Sequence, residues 1–272
     1  MPSASSPTSN TRPPAADDAL LLALKLLIVP LLLAAVSYAG RRWGPGVAGW
    51  LAGFPSLTGP ILFFLAIERG AEFTVPAAVF ALSAVSASLV FGIAYAWACL
   101  RLHWLGAWLC AVLAWLAAVS VLVRVPPTLG GSLAISLGVL LLAPRLFPKP
   151  RGQWGASAIP PLEIVLRMAA GAVMVVAVTA IAETVGAAWT GLLAVFPVLS
   201  TVLAVFSQRA NGPGFVVAML RAMTGGFYAF LAFCISVATL LPTEGVAVTF
   251  TVAVTVAVVV QGAARAVLLR FG

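Results

Sequence analysis

Apolar residues run along this chain in blocks of about twenty, close to the length a helix needs to cross the hydrocarbon of a bilayer. Short turns rich in arginine, glycine and proline separate them. The first block is Ala19 to Ala39, and others follow at roughly 46–67, 75–99, 104–123 and 129–147. A polar, proline-rich connection at 147–161 comes next, and then blocks near 162–183, 187–208, 215–240 and 245–268. Unbroken apolar runs of this length predict membrane-spanning helices, nine in all. The first run is read as a helix, not a signal peptide, because acidic Asp17 and Asp18 precede it and the second half contains its counterpart.

Within this pattern one stretch occurs twice. Gly44 to Phe64 reads GPGVAGWLAGFPSLTGPILFF, and Gly186 to Phe206 reads GAAWTGLLAVFPVLSTVLAVF. The offset is constant, since 196 − 54 = 142 and 206 − 64 = 142. The register extends upstream, where Leu24-Lys25 matches Leu166-Arg167 and Ser37 matches Thr179. A gapless match from about Leu20 to Phe64 predicts an internal duplication. The chain then divides into a disordered tail (1–18), a first four-helix repeat (19–123), a single linking helix (124–147), a polar linker (148–161) and a second four-helix repeat (162–272).

Composition agrees with a membrane protein. Hydrophobic residues make up 62% and charged residues 8%, against about a quarter charged in soluble domains. The net charge of +8 does not indicate nucleic acid, because the cations sit in short loops between apolar runs. Those loops set an orientation. Nine cations (Arg41, Arg42, Arg101, Arg145, Lys149, Arg151, Arg209, Arg265, Arg270) fall on one side and three (Arg12, Arg69, Arg124) on the other. The positive-inside bias predicts an N-terminus outside and a C-terminus in the cytoplasm. Five helices precede the second repeat, so it enters the membrane in the opposite direction. The expected fold is an all-α integral membrane protein with a 4+1+4 inverted-topology repeat.

Function is expected where the repeated helices break. Pro55 and Pro197 lie near the centres of helices two and seven, where a proline removes a backbone hydrogen bond. Freed carbonyls at membrane depth need protein, hydroxyls or trapped water. Ser56 and Thr58 in the first copy, and Ser200 and Thr201 in the second, offer hydroxyls beside Phe54-Pro55 and Phe196-Pro197. Paired interrupted helices in inverted halves point to a midplane transport site. Arg221, about two turns into helix eight, has Val79 as its counterpart (221 − 142 = 79) and is a candidate for receiving an anionic group. Glu68 and Tyr228 complete the candidate path, while Lys25 and Arg167 are read as snorkelling to the headgroups.

The run AGWLAGFPSLTGPILFFLAIERG, Ala48 to Gly70, resembles the signature of the GlpM-like bacterial inner-membrane proteins, small four-helix proteins with AG, FP-[ST] and ERG at those places. The second half is similar through Leu192, Phe196-Pro197 and Leu220-Arg221-Ala222, but has Val198 after Phe-Pro and lacks ERG. The resemblance implies a bacterial inner-membrane location and no particular activity. A four-helix unit fused to an inverted copy also resembles dual-topology transporters.

The leading expectation is a secondary transporter or channel for a small solute, an ion or a lipid-linked intermediate. Its partners are the bilayer and that solute, with a homo-oligomer left open. The alternative is a non-transporting scaffold or accessory subunit of envelope or exopolysaccharide biosynthesis. Enzymatic motifs such as HExxH and GxSxG are absent from the sequence, as is a Walker motif. Three cysteines without ligand spacing and a single His give no cofactor or metal expectation.

Overall fold

The computed structural model describes residues 14–150, 160–184 and 196–271. Eight helices occupy them: α1 (Pro14–Trp43), α2 (Pro45–Ala52), α3 (Thr58–Ala98), α4 (Trp104–Leu122), α5 (Leu129–Leu146), α6 (Pro161–Thr184), α7 (Val198–Asn211) and α8 (Pro213–Phe271). The described residues contain no strand. Six of these helices hold a stretch long and apolar enough to cross a membrane, in α1, α3, α4, α5, α6 and α8.

The count of eight departs from the expected nine for identifiable reasons. Phe54-Pro55 divides the span expected at 46–67 into α2 and the start of α3. The turns expected after residues 67 and 240 are not loops. Each is a single-residue kink, at Gly70 and Gly245, with φ 73 at both. Hydrogen bonding resumes on either side, so α3 and α8 run to 41 and 59 residues, at least twice the ~20 that one crossing needs. Each therefore folds as two limbs. Part of the repeat at 185–195, with the upstream half of the expected helix seven, lies outside the described residues, as do 1–13 and 151–159. Residues 14–18, expected in the tail, belong to α1.

Gly70 has a partner in the other half. Gly212, between α7 and α8, adopts φ 80 and ψ 174, close to φ 73 and ψ −172 at Gly70, and 212 − 70 = 142. A side chain is strained in that region and glycine is not. A second relation of the same kind joins α1 to α6. Val29 and Leu33, both buried, close over Gly171, and 171 − 29 = 142.

Small residues decide how closely the helices approach, as expected where lipid supplies little drive for helix association. α2 lies against the first limb of α8 with Gly49 and Gly53 at the contact. A Cβ at Gly49 would overlap the Met219 carbonyl, and one at Gly53 the Met223 carbonyl and Gly226. Hydroxyls join the second limb of α3 to α5. Ser83 donates to Ser132 at 2.8 Å, Ser86 and Ser136 share a bond of 2.9 Å, and Ser136 donates to the Leu82 carbonyl at 2.6 Å. Ser83 and Ser86 thus serve helix association.

Candidate functional site at the two Phe-Pro breaks

The two breaks have the same local structure. In the first, the Ser56 N–H donates to the Phe54 carbonyl at 2.7 Å, and the Gly59 N–H to the Pro55 carbonyl at 2.8 Å. In the second, the Val198 N–H donates to the Phe196 carbonyl at 2.8 Å, and the Thr201 N–H to the Pro197 carbonyl at 2.9 Å. Pro197 has φ −79 and ψ 67, the conformation at the centre of an inverse γ-turn. Each proline thus closes a three-residue turn and starts a new helix with its own carbonyl.

The end of α2 loses one acceptor bond in the process. The Phe54 N–H tightens onto the Leu51 carbonyl at 3.1 Å, leaving the Trp50 carbonyl without an intrahelical donor. Gln261, on the second limb of α8 and 4% exposed, supplies one: its Nε2 donates to the Trp50 carbonyl at 2.8 Å. The Trp50 indole N–H returns a bond of 3.3 Å to the Gln261 carbonyl. The hydroxyl expected to do this work contributes little. Ser56 Oγ reaches only the Phe54 carbonyl, at 3.5 Å. Thr58 is half-buried.

Around the first break the surface is apolar. Phe54, Pro55 and Ser56 line a cavity of about 420 Å³ with Phe63, Phe233 and Phe250. Phe250 stands edge-on to Phe63 and Phe233, at ring separations of 5.2 and 6.1 Å. This break therefore faces α8, in the other half.

The second break faces back into the first half and is more polar. Phe196 meets Trp115 of α4 edge-on at 5.2 Å. Trp115 is 1% exposed and its indole N–H has no acceptor among the described residues. Thr201, one turn past Pro197 and 2% exposed, likewise has a hydroxyl without a partner among them, as has the indole N–H of Trp108, on one α4 face with Trp115. Buried donors without partners are uncommon and each costs about 1–3 kcal/mol.

Both breaks meet at the first limb of α8. The Met223 backbone packs against Gly53, while its sulfur accepts the Ser200 hydroxyl at 3.7 Å. Met219 does the same one turn earlier, against Gly49 and with the Ser207 hydroxyl at 3.8 Å.

The remaining candidates lie apart from the breaks. Arg221, half-buried, sits between Met219 and Met223 in sequence, about 200° around the helix from the first. Its guanidinium has no hydrogen bond or ion pair among the described residues, and its carbonyl accepts from Thr224 at 2.7 Å. Tyr228 is half-buried on the same limb. Glu68 lies 13 residues beyond Pro55, about 20 Å along a helix, beside the Gly70 kink.

One buried charge was missed by sequence reasoning. Arg167 is 1% exposed, where snorkelling was expected. Its Nε and Nη2 donate to Glu163 at 3.1 and 2.6 Å, and its Nη1 reaches Ser37 and Ser207 at 3.3 and 3.4 Å. The guanidinium also stands 5.8 Å from the Phe206 ring centre. The spacing of Glu163 and Arg167, four apart on a helix, was the available signal. Lys25, its counterpart, has no described side chain. Among the described residues no group of His, Cys, Asp and Glu could hold a metal ion. No family model, characterised protein or solved structure matches the chain.

Proposed function

We propose that the chain is a membrane transport protein, a secondary transporter or channel, with its path beside the Phe-Pro breaks. The observation that carries this reading is the pair of buried donors at the second break, Trp115 Nε1 and Thr201 Oγ1, that have no partner among the described residues. A helix serving only as a support gains nothing from buried donors left to find another partner, whereas a path that receives a polar solute does.

In this reading the protein is an inverted duplicate of a GlpM-like four-helix unit in a bacterial inner membrane, N-terminus outside, with nine crossings arranged 4+1+4. Three relations support the inverted arrangement: equal turns at Pro55 and Pro197, equal backbone at Gly70 and Gly212, and Val29 resting on Gly171. Residues related by a two-fold axis touch each other only beside that axis, so in this reading the axis runs between α1 and α6.

The apolar lining at the first break favours a second reading, a non-transporting scaffold or accessory subunit of an envelope system. Solute flux decides between them. Purified protein in liposomes is screened for uptake of small solutes and ions, then compared with Thr201→Val, Trp115→Phe, Arg221→Lys and Arg221→Gln at equal folded protein. The transport reading expects Thr201→Val to lower flux about tenfold, the worth of one lost polar contact. Arg221→Lys lowers it only if the planar fork is used. Absence of flux favours the scaffold, whereas equal flux in all variants removes Thr201, Trp115 and Arg221 from the path.

A further inference from the structure

A second cavity, of about 540 Å³, lies at the end of the molecule where α7 finishes and α4 and α8 begin. Arg101 and His103 line it from the α3–α4 connection, Arg209 from the end of α7, and Trp104 from the start of α4. No carboxylate lines it, and among the described residues neither arginine has an ion pair. Arg209 lies over the Trp104 ring, 5.6 Å from its centre, which holds one cation at the wall.

Its rim is tied in place. Gln208 accepts the Tyr95 hydroxyl at 2.8 Å and donates to the Leu102 carbonyl at 3.0 Å, joining α7 to the connection that carries Arg101 and His103. α4 opens here with an uncapped first turn. His103 makes no side-chain cap bond, and the first intrahelical N–H donor is Ala107, bonding the His103 carbonyl. The preceding N–H groups are therefore without helical acceptors and favour an anion.

These cations are not a requirement of the repeated fold. At corresponding positions of the other half stand Thr243, Gly245 and Ile67 (101 + 142, 103 + 142 and 209 − 142). None of these three corresponding positions carries a cation.

We propose that this cavity is a binding site for a phosphate-type anion, either free or as the headgroup of an anionic lipid. Two forked guanidiniums around a helix start suit a tetrahedral oxyanion, and the volume is that of a small-ligand pocket. The inference goes beyond the transport reading, since it concerns binding and is read without flux. A protein that moves nothing can still hold the anion.

The test uses the full chain in phosphatidylcholine nanodiscs, titrated with inorganic phosphate at constant ionic strength and followed by calorimetry. A second arm replaces part of the lipid with phosphatidylglycerol and counts retained lipid by native mass spectrometry. Saturable phosphate binding identifies the free anion, and retained phosphatidylglycerol the headgroup. In either case Arg101→Gln and Arg209→Gln should each weaken binding about tenfold. Arg145→Gln, which removes an exposed cation of α5, should change it less than twofold. Melting temperatures check folding, and if Arg209→Gln fails to fold, the exposed Arg101→Gln decides alone. The proposal is overturned if wild type binds neither probe saturably, or if Arg145→Gln weakens binding as much as Arg101→Gln does.

Discussion

Val29 rests on Gly171, the residue that occupies its own place in the second copy. In the inverted arrangement proposed above, such a contact of like with like falls where the copies face each other across a two-fold axis. With an odd number of crossings between the copies, that arrangement puts the axis in the membrane plane and the chain ends on opposite sides. In a background lacking the native cysteines, Ser5→Cys should react with an impermeant maleimide only from outside and Phe271→Cys only from the cytoplasm. Labelling of both from one side would refute the inverted arrangement.

The Arg167–Glu163 pair should behave as a unit. Removing the Glu163 carboxylate leaves the buried Arg167 guanidinium without its counter-charge and costs about 3–5 kcal/mol, whereas removing both is far milder. Thermal unfolding in detergent should therefore show Glu163→Leu strongly destabilised, and the double variant with Arg167→Met returned most of the way to wild type. An additive double variant would mean that the two side chains do not depend on each other.

Close approach at α2 sets the third expectation. Gly53→Ala drives a methyl into the Met223 carbonyl, so overpacking of about 1–3 kcal/mol should lower the melting point. Gly46→Ala, with open space around it, should stay within about 0.5 kcal/mol. Gln261→Leu removes the buried amide's bond to the Trp50 carbonyl and should cost about 1–3 kcal/mol by the same measurement. Equal melting points for all three would show that α2 does not press on α8 as described.

Cys99 gives a pH-dependent signature. It lies past the end of α3, buried, and desolvation pushes its thiol from 9.0 up to about 12, with its own backbone hydrogen bond opposing. The folded protein keeps the thiol neutral where the unfolded chain ionises it. This contribution to stability is therefore complete below pH 9 and is lost as the pH rises toward 12. Maleimide labelling of Cys99 should be negligible in folded protein at pH 8 and complete after unfolding. Rapid labelling of folded protein at that pH would contradict its burial.

How much of this was legible beforehand follows from what each feature depends on. Spans such as α4 and α5 agree with expectation to within a residue, because an apolar run bounded by polar turns carries its own boundaries. Gly70 and Gly245 lie in the polar stretches Glu68–Glu72 and Thr243–Gly245, which marked a turn in each place but could not show that a single residue makes it. The breaks at Pro55 and Pro197 were visible, but their surroundings were not. Gln261 lies 211 residues from Trp50, and Ser37 lies 130 from Arg167. Partners that distant are set by packing, and no local pattern encodes them.

The first limb of α8 touches one break through its backbone and the other through its thioethers. Neither Phe-Pro turn can straighten without displacing the same rod, and a displacement that loosens Gly53 also carries the sulfur away from Ser200. Two hinges hung on one rod share a single degree of freedom. Any change of shape at one break is thereby reported to the other, without a ligand spanning the distance between them.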